Sequence, residues 1–112
     1  QQRTTFGKPI AEHQAVQLKL ADMATSITAA RLLAYDAAAG SDGLRASLAR
    51  ILATETACTV TLESMRIHGG YGYTIEFPVE RHYRDAAHLP AALGGNERER
   101  ALAARRLAAP AA

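Results

Sequence analysis

Residues 67–86 read Ile67-His68-Gly69-Gly70-Tyr71-Gly72-Tyr73-Thr74-Ile75-Glu76-Phe77-Pro78-Val79-Glu80-Arg81-His82-Tyr83-Arg84-Asp85-Ala86. A helical pattern runs into Gly69-Gly70, crosses a turn rich in glycine and tyrosine, and restarts at Pro78-Val79. Glycine ends a helix because it enters backbone regions that a Cβ disfavours. Proline opens one because its φ is already helical and its missing N–H would have had no partner there. Glycines at 69, 70 and 72 also leave bare backbone N–H groups that a phosphate or flavin can approach closely.

Working back toward the N-terminus, Leu44, Leu48, Ile51, Glu55, Cys58, Leu62 and Met65 follow one another at steps of three and four, which predicts a helix from about Gly43 to His68. Glu55 falls on the seam, where a carboxylate needs a partner, and a structural pairing is expected. Gly40-Ser41-Asp42-Gly43 is a breaker cluster. Before it, Val16, Leu20, Met23, Ile27, Ala30 and Ala34 make one stripe of a helix from about Ile10 to Ala38. Residues 1–9 read as a loop that Pro9 closes. In the other direction, a short third helix is expected from Pro78-Val79 to about His88, stopped by Leu89-Pro90. Residues 91–95 read as a loop. Asn96 is placed to N-cap a fourth helix, with Glu97 and Glu99 in its first turn and Arg105-Arg106 in its last, an order that suits the helix dipole. Ala108–Ala112 is expected to fray. No alternating strand pattern or internal repeat occurs. The expected fold is all-α, a four-helix up-and-down bundle of two long antiparallel helices and two shorter ones.

The 112 residues fit one domain, 1–112. Much of the apolar content is alanine, which favours helix but gives each helix little volume to bury, so association with a partner is expected. The net charge of +2 and pI near 9.0 come from eleven arginines against two lysines. They are scattered rather than gathered into a stripe, which argues against nucleic acid. Aromatic residues are few and do not alternate with basic ones as in a single-strand binder. No run of about 20 apolar residues offers a membrane span, and no signal-peptide pattern opens the chain. A cytoplasmic location is the expectation. Cys58 reads as a small buried hydrophobe. No HExxH or His/Cys cluster suggests a metal. His82 and His88 lack the spacing of a triad. Glu80 with Arg84, and Arg81 with Asp85, are expected to form i,i+4 ion pairs. The start at Gln1, without Met, suggests a piece of something longer.

The run Ile67–Ala86 resembles the acyl-CoA dehydrogenase family, whose C-terminal helical domain carries a stretch of the form Q-I-x-G-G-x-G-[YF]-x-x-E-[YF]-P-V-E-R followed by R-D-A. Arg3-Thr4-Thr5-Phe6-Gly7-Lys8-Pro9-Ile10 and then His13-Gln14-Ala15-Val16-Gln17 is similar to the same family's R-x-x-F-G and H-Q-A-x-Q segment. Leu20–Ala24 and Ala29–Leu33 continue the likeness, so three segments agree in order. The resemblance implies an FAD-dependent oxidoreductase that converts an acyl thioester to the 2,3-enoyl thioester. This chain would supply part of the FAD site and of an oligomer interface. Arg3 would contact the FAD pyrophosphate, for which a guanidinium offers a planar fork of donors. Thr5 and Phe6 would flank it, and His13 and Gln14 would lie near the flavin or adenosine. Arg66 stands where the family commonly has Gln and would donate to the pyrophosphate or lie at the surface. Gly69, Gly70 and Gly72 would allow close backbone approach, and Asn96 and Glu97 would belong to the region that meets FAD. The implied partners are an acyl-CoA or other acyl thioester, bound through the parent protein, and further subunits in a homo- or hetero-oligomer, dimer or tetramer.

One departure matters. In many members the catalytic base is a Glu shortly after R-D-A; the matching position here is Leu93, with Ala92 before it and Gly94-Gly95 after it. A leucine accepts no proton, so no catalytic residue is expected within this chain. Some members carry the base on an earlier helix. Two other readings stay open: a non-catalytic subunit of a heteromeric dehydrogenase, and a helical interaction module that has lost the chemistry.

Overall fold

A computed structural model describes residues 3–109. Four α-helices dominate the described residues: α1 (Gln14–Ala39), α2 (Gly43–His68), α3 (Val79–Ala87) and α4 (Gly95–Ala108). The fold is therefore all-α, as expected, with boundaries close to those read from the stripes. α1 starts at Gln14 because Ile10–Glu12 forms a single 3-10 turn and His13 is extended (φ −78°, ψ 126°). Asp42 caps α2 by accepting from the Leu44 N–H at 2.8 Å. Fraying beyond residue 109 lies outside the described residues.

Several expectations are corrected. The N-terminal segment is not a plain loop: β1 (Thr4–Thr5) and β2 (Lys8–Pro9) pair antiparallel, Thr5 opposite Lys8 and Thr4 opposite Pro9. Strands of two residues are too short for alternation to show in sequence. The turn residues Phe6 (φ 51°) and Gly7 (φ 78°) both sit at positive φ, as a type I′ hairpin turn demands. Nor does Asn96 cap α4. The helix begins at Gly95, Asn96 lies inside it, and its side chain is buried. Its Nδ2 donates to Thr54 Oγ1 at 2.9 Å and to Glu55 Oε1 at 3.1 Å. Its Oδ1, the atom a cap would use, instead accepts from Thr54 Oγ1 at 3.2 Å, so both ends of the amide are engaged by α2.

Each of the other helices packs on α2. α1 returns beside it as a hairpin, tied by Arg45 Nη1 to Asp36 Oδ1 at 3.0 Å near the turn and by a Lys19–Glu63 ion pair at the far end. α3 and α4 then track α2 backwards, one after the other. Cys58 Sγ donates to the Ala86 carbonyl at 3.1 Å, Ser47 Oγ to Glu99 at 2.8 Å, and Arg106 Nη1 to the Gly43 carbonyl at 3.0 Å. Cys58 is thus half-buried with its thiol engaged, rather than a fully buried hydrophobe. The Glu80–Arg84 pair closes at 2.8 Å, whereas Arg81 and Asp85 form no ion pair with each other.

The core is thin. Its buried apolar members are Ala30, Ala49, Met65, Val79, Ala86 and Ala103, and no large side chain among the described residues is fully enclosed. The molecule measures 63 × 25 × 21 Å with a radius of gyration of 17.5 Å, against about 13 Å for a compact domain of this length. Its accessible surface is 7816 Å², where a globular monomer of this mass would show roughly 6,000 Å². α1 leaves Leu18, Leu32 and Tyr35 largely in solvent.

Candidate functional site

The C-terminal end of α2, the N-terminal hairpin and the first turns of α1 meet at one end of the rod. α2 stops because Gly69 takes φ +62°, ψ −139°, which a side chain would resist. A helix C-terminus presents unpaired carbonyls and the negative end of the dipole. Arg3 answers this: its Nη1 donates to the His68 carbonyl at 3.2 Å. A Cβ on Gly69 would stand 2.7 Å from that same nitrogen, so the glycine is what lets the guanidinium in. The bond to His68 uses one of arginine's five N–H donors and leaves the rest for another acceptor.

His13 anchors the hairpin to α1. Its Nε2 lies 2.9 Å from Thr5 Oγ1 and 3.1 Å from the Thr5 carbonyl, and its ring meets that of Phe6 edge-on at 6.3 Å. Phe6 is otherwise bare, 99% exposed at the tip of the turn.

Around these residues are two clefts with a shared wall of Arg3, Ile10, Val16 and Ile67. One, of about 460 Å³, adds Thr5, Phe6, His13, Lys19, Arg66 and Gly69. The other, of about 930 Å³, is mostly apolar and adds Leu20, His68, Tyr71, Glu76 and Phe77. There Phe77 packs against His68 at 5.5 Å and against Tyr71 at 6.0 Å between ring centroids. Glu63 of α2 pairs with Lys19 of α1 and with Arg66 one turn on. The Lys19 hydrogen bond, and then that of Arg66, hold the Glu63 carboxyl below the usual carboxylate range.

Six of the site residues read from sequence therefore share one cleft: Arg3, Thr5, Phe6, His13, Arg66 and Gly69. The others do not line it. Gln14 opens α1 with an exposed side chain, and Gly70 is exposed beside the cleft rim. Gly72 is buried against α2, where a Cβ would lie 2.7 Å from the Met65 carbonyl oxygen. Its role in the structure is close packing of the turn. Asn96 and Glu97 belong elsewhere. Asn96 is bound to Thr54 and Glu55, about fourteen residues of helix before Gly69, or roughly 20 Å. Glu97 pairs with Arg100 at 2.9 Å in solvent. Leu93 is 84% exposed and held at φ 50°, ψ 37°, in the left-handed region. The Arg50 guanidinium grips the Ala92 carbonyl just before it. Lys19 and Glu63 are the members that sequence reasoning passed over. They are 44 residues apart, and only the α1–α2 hairpin brings them together.

Among the described residues no helix is long and apolar enough to cross a membrane, and no group of His, Cys, Asp or Glu is arranged to hold a metal.

The sequence pattern of the family described as acyl-CoA dehydrogenase, C-terminal domain, matches residues 1–108. The cyclohexane-1-carbonyl-CoA dehydrogenase of Geobacter metallireducens is 42% identical over 116 aligned positions, which take in 99% of this chain and 30% of that protein. The mitochondrial short-chain specific acyl-CoA dehydrogenase of Bos taurus is 46% identical over 89 positions, 75% of this chain and 22% of that protein. The solved butyryl-CoA dehydrogenase of Megasphaera elsdenii superposes with a TM-score of 0.90 at 40% identity, over 95% of this chain and 29% of that one. The chain thus spans less than a third of the length of these relatives.

Proposed function

Because the chain belongs to the acyl-CoA dehydrogenase family, as its C-terminal helical domain, we propose that it is part of a longer flavoprotein that oxidises an acyl thioester to the 2,3-enoyl thioester. It contributes a portion of the FAD site and a large share of an oligomer interface. The observation that carries this reading is the gathering of Arg3, Thr5, Phe6, His13, Arg66 and Gly69 around one cleft. These residues fit a dinucleotide. Arg3 and Arg66 offer charge-assisted donors to phosphate oxygens, Gly69 leaves the approach open beside Arg3, and Phe6 presents an uncovered ring. FAD, when bound, supplies the acceptor for the hydride leaving the β carbon of the acyl group. Removal of the α proton needs a positioned base. Leu93 provides none, so in this reading the base comes from a part of the protein outside this chain.

Leu93 also favours a second reading, a non-catalytic subunit whose partner holds the base. Anaerobic addition of a saturated acyl-CoA to the full-length protein separates the two. Bleaching of the flavin absorbance is expected, and Arg3→Ala is expected to lower flavin retention about tenfold with little change in the thermal midpoint of the apo form. Failure of the parent protein to bleach, with Leu93→Glu bleaching in its place, would move the assignment to the non-catalytic subunit. A protein that retains no flavin would overturn both readings.

A further inference from the structure

Lys19 and Glu63 enter neither the family motifs nor the reading above. Yet Lys19 lines the same cleft as Arg3 and Arg66, and Glu63 binds Lys19 with one carboxylate oxygen and Arg66 with the other. The arrangement has a front and a back. The Glu63 side chain is 18% exposed, while Lys19 and Arg66 are 47% and 61% exposed. The carboxylate sits behind and the cations stand before it. Each cation uses a single donor on Glu63. An ammonium keeps two further N–H groups and a guanidinium four. Setting three cations against one carboxylate leaves the cleft with a net charge of +2. A nucleotide diphosphate bridge, with one negative charge on each phosphate, is the matching ligand.

We infer that Lys19 is a second phosphate-binding arm in the cleft that Arg3 also lines, and that Glu63 is the positioning residue that holds Lys19 and Arg66 toward the ligand. This rests on the FAD reading of the cleft and names residues of that site. Lys19 comes from α1 and Arg66 from α2, so the seat exists only when the two helices are docked. Glu63 ties them at the point where they flank the ligand.

The test uses the full-length flavoprotein stripped of flavin, titrated with FAD and separately with ADP, which carries the diphosphate without the flavin. Lys19→Gln is expected to weaken both ligands about tenfold, the worth of one charge-assisted hydrogen bond. It should also flatten the dependence of affinity on salt, since one fewer charge is screened. Lys19→Arg is expected to retain binding within about threefold, because the charge and donors remain. Glu63→Gln is expected to weaken both ligands, since the two cations lose their common anchor. Unchanged affinity for FAD and ADP in Lys19→Gln, with the parent still binding FAD, would overturn this inference and leave the FAD reading standing. A drop in the thermal midpoint of the apo protein in Lys19→Gln, together with the loss of affinity, would mark Lys19 as a tie between helices and overturn its role as a ligand arm. Tighter binding by Glu63→Gln would make Glu63 a competing anion and overturn its positioning role. A parent protein that binds neither ligand would overturn the FAD reading itself.

Discussion

Phe6 sits in a conformation that its side chain disfavours. A non-glycine residue at φ 51° is uncommon, more so for a large ring, and this ring gains little from its surroundings at 99% exposure. The first position of a type I′ turn prefers Asn, Asp or Gly. Strain held at an exposed, unburied residue points to function. Phe6→Asn is therefore expected to raise stability by about 0.5–1 kcal/mol in denaturant unfolding, and to weaken FAD binding in the full-length protein. A variant that gains stability and keeps full affinity would remove Phe6 from the site. Leu93 shares the left-handed backbone without sharing the site. It is followed by Gly94 and Gly95, also at positive φ, and the Arg50 contact to Ala92 helps to fix the loop there.

Between α2 and α4 the packing is polar rather than oily. Glu55 accepts from Asn96 at 3.1 Å and from Arg100, while Thr54 and Asn96 exchange hydrogen bonds. The Asn96 bond first, and Arg100 second, hold the Glu55 carboxyl below the ordinary glutamate value. A carboxyl whose folded pKa is depressed contributes stability above its unfolded pKa and loses it as pH falls through the folded one. The loss thus begins near pH 4.5, the ordinary value, and continues below it. Because the Glu55 side chain is 44% exposed, solvent screening keeps the contribution to roughly 0.5 kcal/mol. Glu55→Gln is expected to flatten the acid limb of the stability profile below that pH and to leave the neutral plateau lower by about that amount. An unchanged pH profile in urea unfolding would show that the pair contributes nothing.

At the scale of the whole molecule, the chain is a rod with a core of small side chains. Burial stabilises by about 25 cal/mol per Å² of apolar area, and alanine provides little of it. Leu18, Leu32 and Tyr35 remain uncovered on α1, so the helices need a second surface. The isolated chain is expected to be helical by circular dichroism and associated by light scattering. A monodisperse, cooperatively unfolding monomer would contradict that expectation.

The all-α class, the two long helices and the breaks at Gly40–Gly43 and Gly69–Gly70 follow from sequence alone. Helical periodicity and chain-breaking residues are local properties, and a 26-residue stripe states them many times over. The kinship was legible for the same reason, in motifs carried by neighbouring residues. The gathering of Arg3, Phe6, His13 and Gly69 was implied by resemblance. The Arg3–His68 bond that fixes it joins residues 65 apart and had no local signal. The hairpin at Thr4–Pro9 was missed because two-residue strands have no period. Asn96 was misread because local cap chemistry and a cross-helix bond use the same amide, and only the docking of α4 on Thr54 and Glu55 chooses between them. Lys19 and Glu63 meet only because α1 folds back on α2. A sequence fixes what each segment prefers by itself; which charges face one another depends on packing between segments, and that belongs to the tertiary structure.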